Sequence, residues 1–113
     1  VKPYKIGFDQ RFAKDFTDRC ETYGFETEMI LQGKYLSSAM KLTEADLASQ
    51  VIQYGGNPVD KWCLENACCY IDGHENYSCK KSQASKRIDG AVVFIILYAT
   101  LMRFNSEFQR YIK

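Results

Sequence analysis

The sequence KRIDGAVVFIILYATLM, residues 86–102, contains a long apolar run that is central to the fold of this chain. From Ala91 onward nearly every residue of this run is apolar. Such a run predicts a helix from about Ile88 to Phe104 that is buried on most of its circumference and forms the central packing element. The single carboxylate of the run, Asp89, would lie in the first turn. An ionised carboxylate beside a dry interior is costly unless it is paired, hydrogen-bonded or bound to a cation.

The bulk composition indicates one globular domain. The chain has 113 residues, of which 46% are hydrophobic and 26% are charged. Its formal net charge is +1, so any affinity for nucleic acid must come from local clusters of basic residues. The apolar run is shorter than the roughly 20 residues that cross a bilayer, so we expect a core helix and no membrane partner.

The cysteines and the histidine do not form a recognisable framework. There are five cysteines, two of them adjacent, and no secretory signal pattern, so reduced intracellular thiols are expected. The spacing contains no pair typical of a zinc site, and nothing in the sequence orients a Cys–His nucleophile pair. Buried, inert thiols are therefore favoured. The residues concerned are Cys63, Cys68, Cys69, His74 and Cys79.

Strands and helices alternate along the rest of the chain, which predicts an α/β or α+β layered domain. The first strand, Ile6 to Phe8, stops at Asp9, and the helix after it should end at Gly24. The inner face of that helix would consist of Phe12, Phe16 and Cys20. The further expected elements are a strand within 25–31, a helix from Leu36 to Ser49, a helix from Pro58 to Asn66, and a hairpin of Ala67 to Ile71 with Tyr77 to Lys81.

Two carboxylates stand where sites are usually built in such domains, Asp9 after a strand and Asp89 at a helix start. If the two elements pack side by side, both acids could hold a divalent cation, and their hard oxygen atoms suit Mg²⁺ or Mn²⁺. Each acid also has a simpler interpretation. Asp9 could cap the following helix, and Asp89 could be stabilised by the helix dipole. The residues alone leave both interpretations open.

A cluster of basic residues lies between the hairpin and the last helix. Such a cluster could hold the phosphates of a nucleic-acid backbone next to the acids. It could equally be a solvated loop. The cluster consists of Lys80, Lys81, Lys86 and Arg87.

Five short motifs then occur in an order that is known from one family. They are IGFD at 6–9, LQG at 31–33, GGNPVDKWCLEN at 55–66, KK at 80–81 and KRIDGAVV at 86–93. Together they resemble the C-terminal part of the large subunit of tailed-phage terminases. The resemblance implies an α/β fold, in which helices flank an RNase H-like mixed sheet. The fold is expected to be incomplete at its N-terminal side.

The resemblance also implies roles for individual residues. Phe8-Asp9 stands where the family has a Tyr-Asp motif after a central strand, and Asp89 stands at the aspartate of the family's Arg-Ile-Asp-Gly motif. Both would be catalytic and would bind metal, in a site for two Mg²⁺ or Mn²⁺ ions. Lys86, one helical turn before Asp89, would have a supporting role near the metal ions. The residues implied to approach DNA are Lys80, Lys81, Lys86 and Arg87.

One departure from the family concerns a further aspartate. The family places it on the first strand of the sheet, which we expect to precede Val1. Residues 1–113 are therefore expected to be the C-terminal part of a terminase nuclease domain, with the ATPase domain and the first nuclease strand absent.

The function implied is that of an endonuclease that cuts concatemeric double-stranded viral DNA during packaging, in the cytoplasm of an infected or lysogenic bacterial host. The implied partners are double-stranded DNA and, in the full-length protein, the portal and the small terminase subunit. Two other functions fit the residues. One is another RNase H-like nuclease, such as an integrase or a resolvase. The other is a non-enzymatic module that binds DNA or protein, in which both acids only cap helices.

Overall fold

A computed structural model describes residues 3–9, 13–83 and 85–112 of the chain. The predicted α/β class is confirmed, because the described residues form short strands that are flanked by helices. In chain order the elements are β1 (Ile6–Phe8), α1 (Lys14–Thr22), β2 (Thr27–Met29), a 3-10 helix (Gly33–Leu36), α2 (Ser37–Ala48), α3 (Pro58–Asn66), β3 (Ala67–Ile71), β4 (Tyr77–Lys81) and α4 (Asp89–Ile112).

The described strands form two separate sheets of two strands each. Strand β1 pairs with β2 in parallel, and Ile6 lies opposite Thr27. Strands β3 and β4 form the predicted antiparallel hairpin. The Asp72 carboxylate closes its turn by accepting hydrogen bonds from the backbone N–H groups of Asn76, at 2.9 Å, and His74, at 2.8 Å. These bonds lower the pKa of Asp72, because they stabilise its ionised form.

Helix α1 begins at Lys14, four residues further along the chain than it would if Asp9 were its N-cap. Its N-cap is Ala13, so the prediction that Asp9 could cap this helix is wrong. Cys20 is buried as expected, but Phe16 is 53% exposed, because α1 packs chiefly against β2 and is covered on one side. The predicted inner-face residue Phe12 lies outside the described residues. Gly24 ends the helix with a φ of +80°, a conformation that glycine adopts without strain.

Helix α4 is the central packing element, as predicted. It contacts α2, α3 and β1. Ile95 is only 6% exposed, and Ile96 is half-buried. The core is formed by residues of α4 together with residues of α2 and of the segment that links β2 to α2. Its buried members are Ile30, Leu36, Ala39, Met40, Ile95 and Tyr98.

Two expectations about α4 are wrong. The helix is not buried on most of its circumference, because the described elements pack on one side and leave Val93, Leu97 and Leu101 exposed. It is also not too short to span a bilayer. At 24 residues it is, among the described helices, the one that is long and apolar enough to cross a membrane, and 22% of its most apolar window is buried within the fold.

Helix α4 is longer than the apolar run predicts, because its last turns are largely polar in sequence. The helix continues past Phe104 to Ile112. Tyr4, before β1, packs on two aromatic rings of this extension, with ring centroids 5.2 Å from Phe108 and 5.0 Å from Tyr111. Contacts with a distant part of the chain therefore accompany the extra turns.

Candidate functional site

Strand β1 lies directly on α4, and this close approach positions Asp9. A Cβ atom on Gly7 would overlap Oγ1 of Thr100 and would lie 3.2 Å from Cγ1 of Ile30. Only a residue without a side chain allows the strand to pack this closely. Asp9 follows β1 immediately and is half-buried.

The amino end of α4 is held by α3, and this contact positions Asp89. A Cβ atom on Gly90 would lie 3.0 Å from Oδ1 of Asp60, so the glycine allows the two helices to approach. The side-chain amide of Asn66 donates a hydrogen bond to the backbone carbonyl of Arg87 at 3.0 Å. Asp89 is the first residue of α4 and is exposed, which also fits stabilisation by the helix dipole.

The two predicted acids line the same cleft. This cleft has a volume of about 930 Å³ and lies between β1 and the first half of α4. Its walls are largely apolar, with a few polar side chains. Besides Asp9 and Asp89, the polar residues that line it are Lys5, Gln32, Cys79 and Thr100.

Lys5 is a cleft residue that the sequence reasoning missed. Its side chain is only 11% exposed, and its ammonium group pairs with Glu26, with Glu28 at 3.4 Å and with Glu107 at 3.9 Å. The hydrogen bond to Glu26 raises the pKa of Lys5. No local pattern marks this lysine, because its partners are distant in sequence: Glu26 just before β2, Glu28 in β2 and Glu107 near the far end of α4.

The donor atoms of the cleft fit a divalent cation in part. Asp9 and Asp89 offer the hard oxygen atoms that Mg²⁺ and Mn²⁺ prefer. Within residues 3–9, 13–83 and 85–112, however, no three His, Cys, Asp or Glu side chains come together as a metal-binding group. The described residues therefore supply two carboxylates to one cleft, and no third carboxylate lines it.

The basic residues predicted to approach DNA are not one continuous patch. Lys80 and Lys81 are both exposed, but adjacent residues of a strand point to opposite faces. The Lys80 ammonium group lies 5.1 Å from the ring centre of Tyr70, on one face of the hairpin. Lys81 shares the other face with Cys79, which lines the cleft. Arg87 is exposed and Lys86 is half-buried, just before α4.

The five cysteines are free thiols. Cys63 is buried, as expected of an inert thiol, but Cys69 is exposed. The physical reason is that, of the two strands of the hairpin, it is β4 that packs against α2, which leaves β3 at the open edge. The prediction of buried thiols is therefore wrong for Cys69.

Comparison with known proteins shows which family has a similar sequence. A family described as the endonuclease domain of the terminase large subunit matches residues 3–105. The chain belongs to this terminase nuclease family. The expected resemblance is thereby confirmed, and it covers both acids and the whole of the cleft between them.

A solved structure agrees with this assignment, and a curated protein is also similar to the chain. The terminase nuclease chain superimposes on the large terminase of bacteriophage HK97 with a TM-score of 0.72 and 25% identity, over 85% of this chain and 21% of that one. The RNase H-like fold of the family is thus confirmed. The chain is also 34% identical over 74 residues to Protein YmfN of Escherichia coli strain K12. The match covers 64% of this chain and 16% of YmfN, so the chain spans a small part of either relative.

Proposed function

We propose that this terminase nuclease chain carries part of a metal-dependent endonuclease site that hydrolyses phosphodiester bonds of double-stranded DNA. The observation that supports the proposal is that Asp9 and Asp89, far apart in sequence, line one cleft in a chain of the terminase nuclease family. Concatemeric viral DNA is the proposed substrate. Cleavage would occur in the cytoplasm of an infected or lysogenic bacterial host.

In this proposal Asp9 and Asp89 hold Mg²⁺ or Mn²⁺ through their carboxylate oxygens. A divalent ion bound there supplies Lewis acidity to phosphate oxygens and lowers the pKa of water. The residues of the chain position the acids. Gly7 sets the distance of β1 from α4, and α3 fixes the start of α4 through Gly90. Two carboxylates are fewer than a two-ion site uses, so a further acid from the longer protein is part of the proposal.

Basic residues around the cleft would bind the DNA backbone. Phosphate contacts by lysine and arginine give affinity and orientation without reading the base sequence. The proposed contacts are Lys80, Lys81, Lys86 and Arg87. In the full-length protein, the portal and the small terminase subunit are the proposed protein partners.

A calorimetric titration with Mn²⁺ tests whether the two acids share a cation. We expect heat of binding from the wild-type chain and a loss of affinity of at least about tenfold, or about 1.4 kcal/mol, in Asp9→Asn and in Asp89→Asn. Each substitution keeps the size of the side chain but removes its charge. A matched control is Asp15→Asn on α1, where the acid is exposed and pairs with Arg19 at 3.4 Å.

The control should bind Mn²⁺ like the wild type. Binding that survives in both cleft variants would contradict a shared site. An absence of Mn²⁺ binding in the wild type would instead favour the non-enzymatic interpretation, in which Asp89 serves only to stabilise the start of α4.

A further inference from the structure

Two cysteines face each other across the hairpin. Cys69 on β3 is directly opposite Cys79 on β4 in the strand register. Opposite residues of an antiparallel pair share one face and have Cα atoms about 4.5–5.5 Å apart. A disulfide requires Cα atoms about 4.4–6.8 Å apart. The backbone of the hairpin therefore already holds these two thiols within bridging distance.

The pair is accessible from solvent. Cys69 is exposed and Cys79 is half-buried. Both line a pocket of about 180 Å³ between the hairpin and α2, and Cys68 also contributes to the lining of this pocket. The neighbouring Cys68 is opposite Lys80 and points to the other face of the hairpin. The strand register therefore makes Cys69, and not the adjacent Cys68, the residue directly opposite Cys79.

We propose that Cys69 and Cys79 form a two-thiol modification site, which a small-molecule disulfide such as oxidised glutathione converts into a cross-strand disulfide. The thiolate of the exposed Cys69 attacks one sulfur of oxidised glutathione, the S–S bond breaks, and one glutathione leaves as its thiolate. The thiolate of Cys79 then attacks the Cys69 sulfur and releases the second glutathione. Two protein thiols are oxidised by two electrons, and one oxidised glutathione is reduced to two glutathione thiols.

The same reaction would reach the acidic cleft. Cys79 lines the cleft that holds Asp9 and Asp89, so a bond from Cys79 to Cys69 changes one wall of that cleft. The disulfide itself does not depend on nuclease activity. Its test therefore measures the bond directly and can fail or succeed independently of the proposed function.

Peptide mapping of the folded, reduced chain after incubation with oxidised glutathione tests the proposal. Mildly alkaline pH is suitable, because partial desolvation by the surrounding side chains raises the pKa of both thiols. After the remaining thiols are alkylated, trypsin and a glutamate-specific protease release Asn66–Glu75 and Asn76–Lys80 as separate peptides. The first contains Cys68 and Cys69, and the second contains only Cys79. We expect the two peptides to be joined, at a mass lower by two hydrogen atoms than their sum.

Three serine variants assign the bond. Cys69→Ser and Cys79→Ser should lose the joined peptides and keep a glutathione adduct on the remaining cysteine. Cys68→Ser is the matched control and should give the joined peptides at the wild-type yield. Only glutathione adducts in the wild type would overturn the proposal. Joined peptides that persist in Cys69→Ser but disappear in Cys68→Ser would overturn it as well.

Discussion

At the scale of single residues, Gly7 determines how closely β1 packs on α4. In Gly7→Ala the new methyl group would overlap Oγ1 of Thr100, so the strand must move away from the helix. We expect a loss of about 1–3 kcal/mol in the free energy of unfolding, the usual cost of overpacking. Urea denaturation followed by circular dichroism measures it. Because Asp9 lies two residues further, the variant should also bind Mn²⁺ more weakly.

Two comparisons make the Gly7 prediction specific. Gly73→Ala in the hairpin turn should change the free energy of unfolding by less than about 0.5 kcal/mol, because nothing lies within 4 Å of its added Cβ. Adding Thr100→Ala to Gly7→Ala should recover part of the loss, because the overlapping oxygen is removed. Equal losses in Gly7→Ala and Gly73→Ala would contradict a steric cause.

Tyr98 provides a prediction about pH. Its hydroxyl donates a hydrogen bond to Oδ2 of Asp46 at 2.6 Å, and this bond, together with burial, raises the pKa of Tyr98 to about 12 from 10.0. The raised pKa contributes stability that is fully present below about pH 10 and is lost as the pH rises toward 12. Tyr98→Phe should therefore lower the free energy of unfolding by about 1 kcal/mol at neutral pH.

The measurement is urea denaturation of both proteins at several pH values. The difference between wild type and Tyr98→Phe should shrink above about pH 10, where the unfolded tyrosine ionises first. Tyr23→Phe is the control, since its side chain is 77% exposed and the change should have little effect on stability. A difference that grows with pH would mean that the hydroxyl does not act through this hydrogen bond.

At the scale of secondary-structure elements, one face of the hairpin should contribute more to DNA binding than the other. Lys81 shares its face with the cleft residue Cys79, whereas Lys80 lies over Tyr70 on the other face. The slope of the logarithm of the binding constant against the logarithm of the KCl concentration reports the number of phosphate contacts. We expect Lys81→Ala to reduce this slope by about one, and Lys80→Ala to reduce it less. Fluorescence anisotropy of a labelled duplex over a range of KCl concentrations measures the slope.

A control from another element completes this experiment. Lys61→Ala on α3 removes an exposed lysine outside the proposed DNA contacts and should leave the slope unchanged. If Lys80→Ala had the larger effect, the face of the hairpin opposite the cleft would be the one that contacts DNA.

At the scale of the whole molecule, the chain spans 21% of the HK97 large terminase and 16% of YmfN. We predict that the isolated 113-residue chain binds Mg²⁺ or Mn²⁺ weakly and cuts DNA poorly or not at all. Catalytic groups that act as a unit are strongly non-additive, so a site that lacks one carboxylate loses most of its rate. Nicking of supercoiled plasmid in Mn²⁺ measures the activity.

The comparison is with a longer protein that includes the strand and aspartate expected before Val1. That protein should nick the plasmid, and Asp89→Asn in it should abolish nicking, while Asp15→Asn should not. Robust metal-dependent cleavage by the 113-residue chain would contradict the prediction, since Asp9 and Asp89 would then act without the additional acid.

Most local elements of this protein could be predicted from short-range features of its sequence. The apolar run predicted the start of α4 and the burial of Ile95, and the turn residues predicted the hairpin. The order of short motifs indicated the terminase nuclease family. These features could be predicted because the periodicity of apolar residues and the chemistry of turns and helix ends act over a few residues.

The meeting of residues that are distant in sequence could not be predicted in this way and is known from the fold. The fold placed Asp9 and Asp89 on one cleft, added Lys5 to that cleft, and left Phe16 exposed although the helical pattern predicted an inner position. It also set Cys69 opposite Cys79. The physical reason is that these arrangements depend on which faces of separate elements pack together, and on close approaches such as that of β1 to α4, which no local periodicity specifies.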